Sequence, residues 1–414
     1  MRLTRGEFLQ QMALVGASGP FMPAVFKRLL PLASAHGVTS QQTANDRVLV
    51  VVQMAGGNDG LNTVVPYGIG KYYDLRKNTG IQTAQVLPLN NEVGLHSSLT
   101  SFKQMWDDKT LAIVEGVGYP NPSYSHFESM RIWQSADPAL KIQDGWLGRY
   151  MSGIKSDPQA MNALSVGKSV PQSMASAGVS VPSVENIQSY ALQGDFAAPQ
   201  VTASRLDALN NLYSAIPPTL TAGALLKGTY ESALSTSRKL QDADKAYTST
   251  VTYPPNNTLA SGLKLIAEAI CGDLGLQVCH VSLGGWDTHA SQNFTHSRLL
   301  SYLADSIRAF HEDLKAHGKD KDVLVMTWSE FGRRAQENGS AGTDHGSAGP
   351  MFLAGTPVKG GLYGQRPDLA KLDNGNLRFT VDFRSVYRTV LDKWMNAPAD
   401  SILGGTFEAL PFLS

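Results

Sequence analysis

Carboxylates and imidazoles gather at three places in this chain, each close behind an apolar run. Gly284-Gly-Trp-Asp-Thr-His289 follows Val278–Leu283, Ser329-Glu-Phe-Gly-Arg-Arg334 follows Val323–Thr327, and Gly342-Thr-Asp-His-Gly346 comes soon after. An α/β protein assembles metal and catalytic sites at the carboxyl ends of its strands, so such clusters are where chemistry is expected. Asp287 and His289 stand two apart; on an extended segment both side chains point the same way and can reach one ion. Trp286 would wall that site, and Gly284-Gly285 lets the backbone turn sharply. Glu330 leaves its strand directly, with Arg333 and Arg334 close enough to grip an oxyanion through paired donors. A structural Glu–Arg ion pair is the alternative. His345 can ligate a metal with Asp344 beside it as ligand or orienting partner; a plain loop turn is the other reading.

Two earlier segments carry the same kind of signal. Arg47-Val-Leu-Val-Val-Val-Gln53 ends in Ala55-Gly-Gly-Asn-Asp-Gly60. Asp59 there can hold a divalent cation, and Asn58 can orient a substrate or donate to an oxyanion. An Asn-Asp turn closing a βα loop would look the same. Leu111–Val114 leads into Pro120-Asn-Pro-Ser-Tyr-Ser-His126, with helical periodicity from about Ser125. A serine at a helix N-terminus, Ser123 or Ser125, sits among free N–H groups and a positive dipole end, which suits an anion and an alkoxide nucleophile. The plainer reading is an N-cap with Glu128 three residues on, a capping box around Ser125. His96, His280, His311 and His317 read as packing or surface residues, and His296 as a weaker candidate on the following helix.

These clusters need elements to position them. The β-branched runs are those of strands buried on both faces. Helical spacing covers Ser125 to Trp133, Leu259 to Ile270, Leu299 to Ala316 and Asp382 to Met395, and a helical pair spans about 204–246 as a lid or lateral insertion. The alternation predicts a three-layer α/β/α sandwich with a mostly parallel central sheet. At 414 residues and 42% hydrophobic content the chain can bury one large core. Its 35 basic and 35 acidic side chains cancel, which removes the electrostatic reason to expect nucleic acid or an anionic membrane surface. An anionic substrate would have to be held by local arginine or metal.

Residues 1–35 read as an export leader: a basic start, a mild apolar stretch, then Ala33-Ser-Ala35. Thr4-Arg-Gly-Glu-Phe-Leu9 resembles a twin-arginine signal with Gly6 in place of the second arginine. Residues 36–46 read as a linker and 47–414 as a single domain. Nothing after the leader approaches the roughly 20 apolar residues that span a bilayer. Export to a periplasmic or other oxidising compartment would allow Cys271 and Cys279 to pair; two buried thiols is the default.

In order and content, Gly56-Gly-Asn-Asp-Gly60, Tyr119-Pro-Asn-Pro122 with Ser125-His-Phe127, Gly284–His289, Ser329–Arg334 and Thr343-Asp-His345 resemble a bacterial family of exported proteins. It is domain-of-unknown-function family 1501, and the resemblance spans about residue 46 to the C-terminus. That family is grouped with the alkaline phosphatase and sulfatase superfamily of metal-dependent phospho- and sulfo-hydrolases and mutases. The resemblance implies an alkaline phosphatase-like fold, a divalent metal ion (Zn, Mn, Mg or Ca) and a small anionic ester substrate. It also implies roles: Asp59 and Glu330 in one metal site, and Asp287, His289 and His345 in another. Ser125, or alternatively Ser123, would be the nucleophile, with Arg333 or Arg334 on the non-bridging oxygens. The chain departs from the superfamily at Phe331, where a histidine ligand is usual and phenylalanine cannot bind a metal.

The leading expectation is an exported metal-dependent hydrolase of phosphate or sulfate esters. A catalytically silent binding or assembly protein on the same scaffold is the alternative, favoured by Phe331. Gly57-Asn-Asp59 also resembles the Gly-x-Asn-Asp block of SGNH-type esterases. No Gly-Asp-Ser block precedes it, however, and Asp287-Thr-His289 is one residue short of the usual Asp-x-x-His.

Overall fold

The computed structural model describes residues 46–413 and the pair Gln42–Thr43, apart from 156–159, 188–189, 191–198 and 217–220. The expected leader lies outside the described residues, as does the linker except for Gln42, Thr43 and Asp46.

Among the described residues nine strands form the central sheet: β1 (Val48–Ala55), β2 (Leu111–Gly118), β3 (Asn162–Val166), β4 (Ser183–Val184), β5 (Leu276–Gly284), β6 (Val323–Trp328), β7 (Gly349–Ala354), β8 (Gly361–Tyr363) and β9 (Val381–Asp382). Their order is β8-β2-β7-β6-β1-β5-β3-β4, with β9 also on β2. Every pairing is parallel except those of β7, which runs antiparallel between β6 and β2. The apolar run of β1 thus becomes the middle of the sheet, flanked by β5 and β6 in parallel register.

β1 shows why three layers form. Val48, Val50, Val52 and Met54 pack into one core, and Leu49 and Val51 into the other. Alternating side chains of one strand therefore feed both faces, so each face needs its own helical cover. On the first face lie α1 (Thr100–Asp107), α6 (Thr258–Cys271) and α7 (Gln292–Ala316); on the second lie α2 (His126–Ser135), α3 (Trp146–Ser152) and α8 (Phe383–Thr389). Each fully buried Val or Leu contributes roughly 1.5–3 kcal/mol of transfer free energy. The expected helical pair is α4 (Pro199–Ser214) and α5 (Thr221–Ala246).

Several boundaries move. β2 extends four residues past Val114, and all eight of its residues are buried. α7 starts at Gln292, seven residues before the expected Leu299, because polar residues at its first turns face the interior rather than solvent. Asn257 caps α6 by accepting from Leu259 N at 3.1 Å, which is why the Pro-Pro-Asn-Asn break ends where it does. α8 closes in a π-helical turn, Val390–Trp394, and a further short helix, Ala399–Leu403, follows the one expected to be last. Cys271 and Cys279 are both free; Cys279 lies buried inside β5, and Cys271 ends α6. No helix among the described residues is long and apolar enough to cross a membrane.

Candidate metal centre

β1, β5 and β6 are adjacent and parallel, so their carboxyl ends open on one edge. The loop after β1 fits between the other two because it is glycine. Gly56 and Gly57 have φ of 127° and 85°; a Cβ on Gly56 would lie 2.4 Å from Asp287 N, and one on Gly57 2.4 Å from the Phe331 ring. Only glycine tolerates both the angle and the approach.

Arg333 ties the three loops together. Its Nε donates to Gly57 O at 2.7 Å and Nη1 to Thr343 O at 2.9 Å. Nη2 donates to Trp286 O at 3.0 Å, to Asp287 Oδ1 at 2.7 Å and to Gly56 O. The guanidinium is buried and its donors are taken by the protein, so it acts as a fixed internal cation rather than a free hand for substrate. Arg334 is exposed and donates to Asn374 O.

Around Asp287 stand three imidazoles. His289 Nε2 lies 2.9 Å and His345 Nε2 3.1 Å from Asp287 Oδ1, and His126 Nε2 lies 3.5 Å from Oδ2. His289 Nε2 and His345 Nε2 are 3.0 Å apart. Each ring is held from behind through Nδ1: His126 by Glu330 Oε1 at 2.8 Å, His345 by Tyr124 O at 2.7 Å, and His289 by Asp344 Oδ1 at 3.4 Å. A carbonyl or carboxylate oxygen only accepts, so each Nδ1 carries a proton; in the neutral ring Nε2 then turns a lone pair toward Asp287, and in the charged ring it donates to that carboxylate. Arg333 Nη1, a donor only, lies 3.5 Å from His289 Nε2 and agrees with that tautomer. With the rings neutral, lone pairs from three nitrogens and a carboxylate converge, and only a proton or a cation can sit among them. Ligating histidines show this arrangement, the distal N–H anchored and the near nitrogen bare. The residues fit a divalent cation: His126, Asp287 and His345 each offer a ligand atom within 4.8 Å of the others.

The floor is Phe331, buried, with its ring centroid 4.4 Å from that of His345 and 4.9 Å from that of His126. It packs the two imidazoles in place. Asp287 keeps its charge easily. Burial alone would raise its pKa, but the bonds from Arg333 and His345 bring it to about 2. The Asp344 carboxyl is likewise lowered, first by the hydrogen bond from Asn338.

Other candidates are placed differently. Asp59 is buried and bound to Arg76, which donates Nη2 to Oδ1 at 2.9 Å and Nη1 to Oδ2; Gln292 Nε2 adds a third bond at 2.6 Å. Glu330, also buried, accepts from Gly56 N at 2.8 Å as well as from His126. The two carboxylates expected to share one ion are bound elsewhere, Asp59 through both oxygens and Glu330 through Oε1. Asn58 is buried; its Oδ1 accepts from Thr63 Oγ1 at 2.8 Å, and its Nδ2 has no partner among the described residues. Ser125 is the N-cap of α2, exposed, with no side-chain cap bond. Glu128 instead takes the Ser123 hydroxyl at 2.7 Å, so the capping box around Ser125 does not form.

Sequence reasoning gave His126 no role. Its signal was there: an imidazole at the first position of a helix that follows a buried strand. Arg76 gave no signal, sitting in an unremarkable Asp-Leu-Arg-Lys segment.

Solved structures similar to this chain include a protein in the alkaline phosphatase superfamily from Vibrio parahaemolyticus, 9% identical over 98% of this chain and 76% of that one, with a TM-score of 0.36. The PsFucS1 sulfatase from Pseudoalteromonas sp. is 11% identical over 89% of this chain and 72% of that one, TM-score 0.39. The C-terminal periplasmic domain of EcEptC from Escherichia coli, in a complex with Zn, is 9% identical over 76% and 75%, TM-score 0.36. No curated protein matches the chain. The model of the family described as Protein of unknown function (DUF1501) matches residues 46–397, and the chain belongs to that family.

Proposed function

We propose that this chain is an exported hydrolase of phosphate or sulfate esters that depends on a divalent cation held by His126, Asp287, His289 and His345. One observation carries the reading: three imidazoles, each anchored through Nδ1, turn their Nε2 atoms onto one carboxylate. A nitrogen-rich donor set of this kind suits zinc or a similar transition ion better than Mg2+ or Ca2+, which favour all-oxygen shells. Such an ion would polarise an ester oxygen or lower the pKa of a bound water.

The remaining roles fall to this chain's own groups. Ser125 offers an exposed hydroxyl one residue from His126, and as N-cap it leaves the first-turn amides of α2 without a side-chain partner. Those amides and the positive helix end can receive the non-bridging oxygens of an anionic ester. Glu330 and Asp344 fix the tautomers of His126 and His289. Asp287, Asp344 and His289 are open to solvent, so a substrate has access without any opening of the core. Export is read from residues 1–35.

The test is metal content of the purified full chain together with turnover of aryl phosphate and aryl sulfate esters. Stoichiometric metal and ester turnover, both lost in Asp287→Ala, is the expected result. Full turnover by Asp287→Ala would sink the scheme. Bound metal with no ester turnover would favour the catalytically silent scaffold, which the Phe331 ring already supports by filling a position where the superfamily places a ligand.

A further inference from the structure

Resemblance to a superfamily with two neighbouring ions implies a second cation between Asp59 and Glu330. The side chains there are otherwise disposed. Both Asp59 oxygens accept from the Arg76 guanidinium, and Oδ2 also accepts from Gln292 Nε2 at 2.6 Å. Arg76 is itself fixed by Ala335 O at 2.7 Å and Arg334 O at 2.9 Å, and its side chain is wholly buried. Glu330 Oε1 is shared by Gly56 N and His126 Nδ1. Phe331 supplies a hydrocarbon wall where a ligand would be needed. A cation entering here would have to displace a bidentate, desolvated guanidinium and leave it buried without its counter-charge, which is strongly unfavourable.

The charge of that guanidinium is connected to the imidazole cluster. Gln292 passes from Asp59 to Thr343, whose hydroxyl donates to Gln292 Oε1 at 2.9 Å. Thr343 O accepts from Arg333 Nη1 at 2.9 Å, and Arg333 Nη2 donates to Asp287 Oδ1 at 2.7 Å. Two arginines thus stand as permanent cations behind one exchangeable position.

We infer that the site takes one divalent cation per chain, at His126, Asp287, His289 and His345, and that Arg76 permanently occupies the carboxylate a second ion would require. This inference rests on the metal-dependent reading above and deepens it. Asp59 is then a counter-ion to Arg76, not a ligand.

The experiment is Zn2+ titration of the metal-stripped full chain, followed by native mass spectrometry, with anomalous diffraction from Zn2+-soaked crystals. The expected result is one equivalent, one anomalous peak beside Asp287, loss of that equivalent in Asp287→Ala, and its retention in Asp59→Asn. A second equivalent removed by Asp59→Asn, or a second peak beside Asp59, overturns the inference while leaving the proposed function intact. No bound zinc in the folded wild-type chain removes the proposed function, and the inference falls with it. Where Asp59→Asn does not fold, the wild-type count and the peak positions decide alone.

Discussion

Asp59 and Asp287 follow neighbouring parallel strands, β1 and β5, and each carboxyl is held at about 2. In both, burial pushes the pKa up and is outweighed: at Asp59 by the charge and bonds of Arg76, at Asp287 by bonds from Arg333 and His345. What separates them is what remains unfilled. Asp59 is 1% exposed and receives only N–H donors that never leave. Asp287 is 45% exposed at the side chain and faces three Nε2 atoms whose protons an ion can replace. A lowered pKa therefore marks both a structural pair and a candidate ligand. Solvent access and unspent donor capacity tell one from the other.

That contrast can be broken or sharpened by substitution. Asp59→Ala should cost about 3–5 kcal/mol of unfolding stability, because it leaves the buried Arg76 unpaired; chemical denaturation of the metal-free chain measures it, and Zn2+ uptake should persist in whatever folds. Asp287→Ala should act the other way round. Zinc affinity should fall by more than about 100-fold, the upper end for groups that only support a ligand, with a smaller loss of stability, because Asp287 is half exposed and Arg333 keeps its bonds to the carbonyls of Gly56, Gly57, Trp286 and Thr343. If the two variants gave the same stability loss, the distinction between the two carboxylates would be wrong.

The acid limb of stability is a third probe. Asp59 has a folded pKa near 2 against an ordinary 3.8, so its contribution is complete above pH 3.8 and disappears as pH falls toward 2. The difference corresponds to about 2 kcal/mol. Three buried histidines act earlier: burial lowers His96, His280 and His296 from 6.5 to about 4. Their neutral-state contribution is complete above pH 6.5 and is lost toward pH 4, because the unfolded chain takes up the protons first. Denaturation midpoints measured from pH 7 to 2 should show both windows, and Asp59→Asn should remove only the lower one. The smallest effect belongs to the exposed anchor: Asp344→Asn should weaken zinc binding by about 10-fold, at the low end for an outer partner, read by competition with a chelator. A change as large as that of Asp287→Ala would make Asp344 a ligand.

Much of the scaffold was legible because its signals are local. Arg47 to Gln53 reads as a doubly buried strand, and the strand runs from Val48 to Ala55 with Arg47 exposed before it; a run rich in β-branched residues favours that state. The 258–271 helix reads almost to the residue, since Asn257 and the preceding prolines mark its start. β2 reads four residues short because Glu115 and Gly116 break the apolar run; Glu115 is buried all the same, its charge met by Arg366 at 3.0 Å, 251 residues away. The site was legible in composition and not in pairing. Asp287, His289, Glu330, Asp344 and His345 were named from position after strands, and the structure gathers all five around one cluster. Asp59 was named by the same rule, but its partner Arg76 lies on a loop with no pattern, and sequence alone cannot say which cation a strand-end carboxylate meets. Strand order was equally hidden: nothing in Pro350–Ala354 reveals that β7 runs against its neighbours.

His126 and Glu330 touch across 204 residues, and His345 reaches back 221 residues to the Tyr124 carbonyl. An ion bound by His126 on one side and Asp287 and His345 on the other would act as a staple between the early and late parts of the chain. It would find no such arrangement in the unfolded polypeptide. By mass action, free zinc at 100 times its dissociation constant would then add about 2.7 kcal/mol to the folded state. The melting temperature would climb with zinc concentration in the wild-type chain and stay flat in Asp287→Ala, so heat alone, with no substrate at hand, would report whether the centre is filled.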